Sequence, residues 1–327
     1  MNIGLIPQKW ARLTPSNEAV IDATNNKRIS YAQFDSLINR LANGMLSKGL
    51  VKGDRVAILS QNCIENLATF YACGRIGLIA QPMNWRLSIP ELIRIIENGS
   101  PRILISQDSF SKQRSEIIRE NGFIEFSYEF GVDGDGSFED LVTENSELEP
   151  KEADLVGNDD PILIHYTGGT TGESKGALHS HSSVWHGMLN QTVAERIVPS
   201  DVYMLTGQMF HIPVVLAMNY QAHGCPLVLM NFEPKLALEL IEKEKVSAFL
   251  GVTTMLNWMM AEDGFDDYDL SSLRNIQYGG GPMPSRVISE ALAAFPCTLI
   301  QGYGPVSYTH LRAHETREDR GGGGGGG

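Results

Sequence analysis

The chain has 327 residues, of which 42% are hydrophobic and 20% charged, and its formal net charge is −13. This composition is typical of a folded globular protein, and it excludes global disorder, a collagen-like chain and a coiled-coil rod. The acidic balance, without any basic run, argues against binding to nucleic acid.

The cysteines and the apolar runs indicate where in the cell the protein is expected. The four cysteines form no C-x-x-C pair, so reduced thiols and a cytoplasmic location are expected. No run approaches the ~18 apolar residues that a membrane span requires, so we expect no transmembrane segment. A homodimer is compatible with the sequence.

The first half of the chain alternates predicted helices and strands. Apolar residues at helical spacing follow Ser30 and stop at Gly49, which predicts a helix over this range. A second helix begins at a capping box formed by Ser88 and Glu91. The remaining elements predicted here are a helix at 64–74 and strands at 55–60, 77–82 and 102–106.

An acidic stretch at 127–158 interrupts this alternation, and we place a domain boundary near residue 155. The alternation then continues, with strands at 161–166, 202–205, 226–230, 247–251, 275–278 and 298–301 and helices at 184–193, 214–223, 235–243, 254–260 and 285–294. Buried strands alternating with amphipathic helices predict doubly wound βαβ sheets of the α/β class. Residues 1–155 would form one α/β subdomain and 156–305 a second.

The last segment differs in character from the rest. VSYTHLRAHETREDR, from Val306, has no helix or strand period and is followed by a run of glycines to Gly327. Its first part resembles one reading frame of a transposon-end sequencing adapter, and the glycines resemble a translated run of G. We therefore expect 306–327 to be a non-native, unstructured tail; a flexible linker is the alternative. The functional interpretation rests on 1–304.

The most informative segment is IHYTGGTTGESKG, which ends at Gly176 and directly follows a predicted buried strand. Glycines let a backbone approach a polyanion, threonine hydroxyls add donors, and Lys175 adds a positive charge, so this is a candidate phosphate loop. A Walker A motif is excluded, because Ser174 precedes the lysine and Gly176 follows it. A glycine-rich turn with a solvated lysine is the structural alternative.

YTGGTTGESKG resembles the signature loop of the class I adenylate-forming enzymes, from which it departs at Gly168 and Ser174. Four later segments fit the same family in order and spacing: QMFH at 208–211, GVTTM at 251–255, YGGGPMP at 278–284 and QGYG at 301–304. The resemblance covers 1–304 and points to an acyl-CoA synthetase of the fatty-acid–CoA ligase type. It implies the fold of the family's N-terminal domain, without the usual small barrel subdomain and C-terminal lid domain.

The resemblance also implies a set of site residues. Lys175 and His211 would be catalytic, and the side chain of Thr167 would face Mg²⁺. The acid would lie against His211, Val252, Thr253 and Met255. The nucleotide would be held by Thr167, Gly168, Gly169, Thr170, Thr171, Gly172, Lys175, Gly279, Gly280, Gly281, Pro282, Gln301, Gly302, Tyr303 and Gly304.

The implied reaction activates a carboxylic acid with ATP and Mg²⁺ as an acyl-AMP, which is then transferred to CoA. The family's Mg²⁺-binding Glu, ribose-binding Asp and catalytic Lys of the mobile domain lie beyond this chain, so we expect the chain alone to be inactive. Two alternatives stay open: a different acceptor, such as a carrier-protein thiol, and a non-catalytic nucleotide-binding module.

The substrate is predicted less closely. A medium or long-chain fatty acid is favoured over an aromatic acid. Met255, Trp258 and Met259 lie at helical spacing, and they would either line an acyl tunnel or pack in the core.

Overall fold

The computed structural model describes residues 1–167, 175–303 and 312–315, and it gives only the backbone of Thr167, Tyr303 and 312–315. The described strands are β1 (Glu18–Asp22), β2 (Lys27–Ser30), β3 (Arg55–Leu59), β4 (Ile79–Pro82), β5 (Ile103–Gln107), β6 (Phe126–Phe130), β7 (Pro161–Thr167), β8 (Lys175–Ser180), β9 (Tyr203–Leu205), β10 (Leu227–Leu229), β11 (Ala248–Leu250), β12 (Asn275–Gly279), β13 (Thr298–Tyr303) and β14 (Arg312–Glu315).

The described α-helices are α1 (Ile6–Leu13), α2 (Tyr31–Ser47), α3 (Ile64–Ile76), α4 (Ile89–Gly99), α5 (Ser111–Glu120), α6 (Phe138–Val142), α7 (His181–Glu195), α8 (Pro213–Ala222), α9 (Pro234–Glu244), α10 (Thr253–Met260) and α11 (Ser285–Ala294). Short 3-10 helices occur at Ile3–Leu5, Asp108–Phe110, Lys151–Leu155 and Phe265–Asp267. None of the described helices combines the length and apolar character that a membrane span needs.

The strands form two sheets that are largely parallel. The six-stranded sheet has the order β6-β5-β3-β4-β7-β8, and the eight-stranded sheet has the order β14-β13-β12-β11-β9-β10-β1-β2. Only the pairs β7–β8, β1–β2 and β13–β14 are antiparallel among the described strands. The prediction of doubly wound α/β sheets is confirmed.

Three apolar cores alternate with the two sheets. Successive side chains of a strand point to opposite faces, so Val56 and Ile58 of β3 enter the core between the sheets, while Ala57 and Leu59 enter the outer core beneath α4 and α5. The central core also contains apolar residues of α2, α3 and α8, and a third core packs α9, α10 and α11 on the outer face of the eight-stranded sheet. The result is five alternating layers of helix and sheet.

Helix signals in the sequence match the structure closely. Ser30 caps α2 in a capping box with Gln33, and Ser88 caps α4 in a capping box with Glu91. Gly49, which follows α2, has a φ of +79°, a conformation that favours glycine. Each helix predicted above is present, with ends shifted by a few residues.

The strands that the sequence analysis missed are mostly short or lie at sheet edges. They are β1, β2, β6, β8 and β14. β2 and β8 have mixed polarity and exposed positions, because an edge strand is covered less than a central one. Such strands lack the continuous apolar run by which the central strands are predicted.

The predicted boundary near Leu155 does not coincide with a division between the sheets. β1 and β2, from before it, pair in the eight-stranded sheet, and β7 and β8, from after it, pair in the six-stranded sheet. Hydrogen-bond pairing between distant segments decides this arrangement, and composition along the chain does not reveal it.

At four residues the tail differs from the expectation of no regular structure. Arg312–Glu315 form β14, which pairs antiparallel with β13 and places Tyr303 opposite Arg312. Without it, β13 would be an edge strand whose free N–H and C=O groups accept a further strand regardless of its side-chain pattern. The rest of 306–327 lies outside the described residues.

Arg75, at the end of α3, is fully buried and joins the N-terminal segment to α2. Its guanidinium donates to Asp35 Oδ1 at 2.6 Å, to the Gly4 carbonyl at 2.9 and 3.1 Å, and to Asn39 Oδ1. A buried cation is tolerated only when its donors are paired in this way.

Replacing Arg75 with Met is therefore expected to lower the free energy of unfolding by about 3–5 kcal/mol, because Asp35 and two acceptors lose their partner. Chemical denaturation followed by circular dichroism measures the change. Arg119→Met is the control, since Arg119 forms its ion pairs on the surface. Equal effects in the two variants would contradict the assigned role.

Candidate active site

A cavity of about 740 Å³ opens at the carboxyl ends of the eight-stranded sheet. Parallel pairing aligns the ends of β9, β11, β12 and β13 at one edge. The cavity is walled by the loops that leave these strands and by α7, α8 and α10. Ligands of open α/β sheets bind at this edge, so it is the first candidate for the active site.

Glycines keep the sheet edge narrow. A Cβ on Gly279 of β12 would lie 2.3 Å from the carbonyl oxygen of Gly302 on β13, so no other residue fits without moving the strand. Gly280 follows with a φ of +75°. Both Gly279 and Gly280 line the cavity, as does Gly302. The backbone is thus open to close approach by a flat ligand.

The other residues predicted to bind nucleotide near this edge either do not line the cavity or lie partly or wholly outside the described residues. Gly281 and Pro282 follow the narrow edge and, like Gln301, are not among the described residues that line the cavity. Tyr303 ends β13, but its side chain lies outside the described residues, as does the whole of Gly304.

The candidate phosphate loop connects an antiparallel pair. β7 ends at Thr167, which lies opposite Lys175, the first residue of β8. Residues Gly168, Gly169, Thr170, Thr171 and Gly172 and the side chain of Thr167 lie outside the described residues. Lys175 is exposed, and His179 of the same strand lines the cavity about 13 Å further along. β8 therefore runs from the phosphate loop to the cavity.

His211 lies between β9 and α8 and lines the cavity. Burial lowers the pKa of its imidazole, and the charge of Arg86 lowers it further. The ring is therefore neutral at pH 7, and its Nδ1 has no hydrogen-bond partner in the described part of the chain. A neutral imidazole at this position can contact a carboxylic acid without fixing it as a salt.

Two of the three residues of 252–255 that were predicted to contact the acid line the cavity. Val252 and Met255 line the cavity, but Thr253 does not. Its hydroxyl donates to the Pro282 carbonyl at 3.3 Å, which joins the start of α10 to the loop after β12. Thr254 lines the cavity in its place.

The methionine and tryptophan residues of α10 were predicted either to line a tunnel for the acyl chain or to pack in the core. Met255 and Trp258 line the cavity, whereas Met259 is fully buried in the core on the outer face of the eight-stranded sheet. The helix is thus partly wall and partly core.

The sequence analysis missed a polar group in the wall of the cavity. Gln191 and Glu195 of α7 and Gln277 of β12 are all less than 10% exposed, and all three line the cavity. Tyr220 Oη donates to Glu195 Oε2 at 2.7 Å, and the amides of Gln191 and Gln277 donate to the same oxygen. Burial raises the pKa of Glu195 to about 7, although these three donors lower it. The i, i+4 spacing of Gln191 and Glu195 was the available signal.

A bound cation is not supported by the described residues. Within them no group of three or more His, Cys, Asp or Glu side chains is placed to hold a metal ion. The side chain of Thr167, to which the resemblance assigns Mg²⁺, lies outside them.

Comparison with known proteins identifies the family. The sequence profile of the AMP-binding enzymes matches residues 7–321. The chain belongs to the AMP-binding enzyme family. Among curated relatives it is 30% identical to the long-chain-fatty-acid–CoA ligase FadD13 of Mycobacterium tuberculosis and 30% identical to the indoleacetate–CoA ligase of Aromatoleum aromaticum, over 92% and 95% of this chain. It spans 59% of the length of each.

The fold of an AMP-binding enzyme is confirmed by solved structures. The chain is similar to the inhibitor-bound N-terminal domain of FACL13 from Mycobacterium tuberculosis, with a TM-score of 0.85 and 29% identity over 93% of this chain and 75% of that one. Both sheets therefore belong to the fold of the family's N-terminal domain.

Gly279→Ala is expected to destabilise this AMP-binding domain by about 1–3 kcal/mol, because its Cβ would be forced against the Gly302 carbonyl. The thermal unfolding midpoint measures the effect. Gly281→Ala is the matched control, since no atom lies within 4 Å of its Cβ position and its φ is not positive. A fall in the control as large as in Gly279→Ala would show that the close approach is not responsible.

Glu195→Gln is expected to change how stability depends on pH. The folded pKa of about 7 lies above the ordinary value of 4.5, so the folded state holds the extra proton between these values. The contribution of Glu195 to stability is greatest below about pH 4.5, and about 3 kcal/mol of it is lost as pH rises through 7.

The unfolding midpoints of the wild type and Glu195→Gln are measured from pH 5 to pH 8. The midpoint of the wild type should fall relative to that of the variant as pH rises. Glu239→Gln, on the exposed face of α9, is the control and should show no such trend. A difference that does not vary with pH would contradict the raised pKa.

Proposed function

We propose that this chain is the acid-binding and nucleotide-binding part of an AMP-forming acid–CoA ligase. One observation carries the proposal: a single cavity joins the glycine edge of β12 and β13 to an apolar chamber between α7, α8 and α10, with His211 on its wall. A nucleotide fits the narrow glycine edge, and an apolar acid fits the chamber.

In the proposed reaction a carboxylate oxygen of the acid attacks the α-phosphorus of ATP. A new P–O bond forms, the bond to the β-phosphate oxygen breaks, and pyrophosphate leaves, which yields an acyl-AMP. The sulfur of CoA then attacks the acyl carbon, the C–O bond to AMP breaks, and the thiol proton leaves to solvent. Lys175 would offset the charge of the phosphates in the first step.

CoA is proposed as the acceptor because the relatives named above are CoA ligases. A fatty acid is proposed as the acid, and the chamber wall supports this with apolar side chains on three elements: Val184 on α7, Val215 and Leu216 on α8, and Met255 on α10. An apolar wall of this kind favours an acid with a hydrocarbon body through burial of its surface.

Lys175→Ala is expected to weaken the binding of ATP to this chain about tenfold or more, because one charge opposite the phosphates is lost. Adenosine, which carries no phosphate, should bind equally to the wild type and the variant. Isothermal titration with both ligands separates the phosphate contact from a general loss of the site.

The control for this experiment is Lys235→Ala, on the exposed start of α9, which should leave both affinities unchanged. Unchanged ATP binding in Lys175→Ala would remove this lysine from the phosphate site. Absence of any ATP binding by the wild type would overturn the nucleotide assignment itself.

A further inference from the structure

The polar group of the cavity lies below the nucleotide edge. Gln277 precedes Gly279 by two residues on the same face of β12, so it lies about 7 Å deeper along the strand. On the facing helix, Gly187, Gln191 and Glu195 of α7 all line the cavity and extend over about 12 Å of its wall. Asn275, the first residue of β12, donates from Nδ2 to the Glu195 carbonyl at 2.8 Å, so the C-terminal end of α7 lies beside the start of this strand. Glu195 therefore lies below the glycine edge, which is at the other end of β12.

The orientation of this group is fixed by a second layer of hydrogen bonds. Tyr203 Oη donates to Gln277 Oε1 at 3.2 Å, and Asn219 Nδ2 donates to Gln191 Oε1 at 3.0 Å. With both amide oxygens used, the amide nitrogens of the two glutamines must face Glu195. Together with Tyr220 they bring three donors to one oxygen, Oε2.

The other carboxylate oxygen, Oε1, is left for a ligand. It accepts no hydrogen bond from the described residues, and it is not one of the polar atoms of that part of the chain that are shut off from solvent without a partner. No cation of the described residues forms an ion pair with Glu195; the nearby Arg274 pairs with Asp201 instead. A carboxylate accepts about four hydrogen bonds, so Oε1 keeps the capacity to accept one from a ligand in the cavity that Glu195 lines.

We infer that Glu195 Oε1 accepts a hydrogen bond from the far end of the acid, so that the preferred substrates are apolar acids carrying a hydroxyl group remote from the carboxylate. This rests on the proposed function and makes the substrate class narrower than fatty acids in general. A carboxylate held by three donors in an apolar chamber favours ligands that carry a hydrogen-bond donor. A hydrocarbon end would displace water from the carboxylate without forming a hydrogen bond in return, which costs binding free energy.

The test compares matched acids that differ only at the far end, with this chain saturated with α,β-methylene-ATP at about pH 8. Isothermal titration is carried out with 10-hydroxydecanoate, 10-methoxydecanoate and decanoate, and with 4-hydroxycinnamate and cinnamate. The hydroxy acid of at least one series should bind about 10- to 100-fold tighter than its unsubstituted partner, as expected for a hydrogen bond to a charged group.

Glu195→Gln tests the preference between ligands, which a merely structural role of Glu195 would not change. The three donors would hold the amide oxygen of Gln at the position of Oε2, so its NH₂ group would face the cavity. The variant should lose the preference for hydroxyl over methoxy, because it offers a donor where the wild type offers an acceptor. Glu239→Gln should retain the wild-type order of affinities.

The outcomes separate the two proposals. Equal binding of hydroxylated and unsubstituted acids by the wild type would overturn the role of Glu195 and leave acid activation standing. A preference for the hydroxyl that persists in a folded Glu195→Gln, shown by its circular dichroism and unfolding midpoint, would also overturn it. If no acid of either series binds the wild type, the proposed acid chamber is wrong, and this inference falls with it.

Discussion

The close approach of two backbones at one sheet edge is the constraint on which the site depends. Parallel pairing sets the carboxyl ends of the strands side by side, and at Gly279 and Gly302 the chains come so near that no side chain fits between them. The close approach leaves bare backbone at this part of the cavity wall. A planar ligand can then lie against the strands, and the loops that follow them are held at fixed distances from it.

The same edge explains why residues far apart in sequence share one cavity. Trp85 follows β4 of the six-stranded sheet, and its indole Nε1 donates to Gln208 Oε1 at 3.1 Å beside His211. His179, on β8 of that sheet, reaches the cavity as well. The site therefore draws on both sheets, which pack against each other through the central core.

Glu195 bears on both the stability of the fold and the proposed selection of the acid. A carboxylate buried against α7, β12 and Tyr220 is unfavourable when ionised, as its raised pKa shows. A hydrophobic residue of similar size would avoid this penalty. The group lies in the wall of the chamber that would receive the acid.

Much of the fold was determined by the sequence itself. Capping boxes at Ser30 and Ser88 and the continuous apolar runs of the central strands are local signals, because helix ends and buried strands depend on neighbours in the chain. The edge strands β2 and β8 and the exchange of segments between the sheets were not predictable in this way, because they depend on pairing with distant strands that leaves no local pattern.

The residues of the site likewise separate into those with a local sequence signal and those set by distant contacts. The glycines at 279–280 and 302, and His211, could be found from their order in motifs, since those residue types meet local backbone and chemical requirements. Thr253 and Thr254 could not be distinguished, because which hydroxyl faces the cavity depends on the Pro282 carbonyl nearby in space. For Glu195 the sequence offered only its i, i+4 spacing to Gln191, since its burial and its three donors come from two helices and a strand that only the tertiary structure brings together.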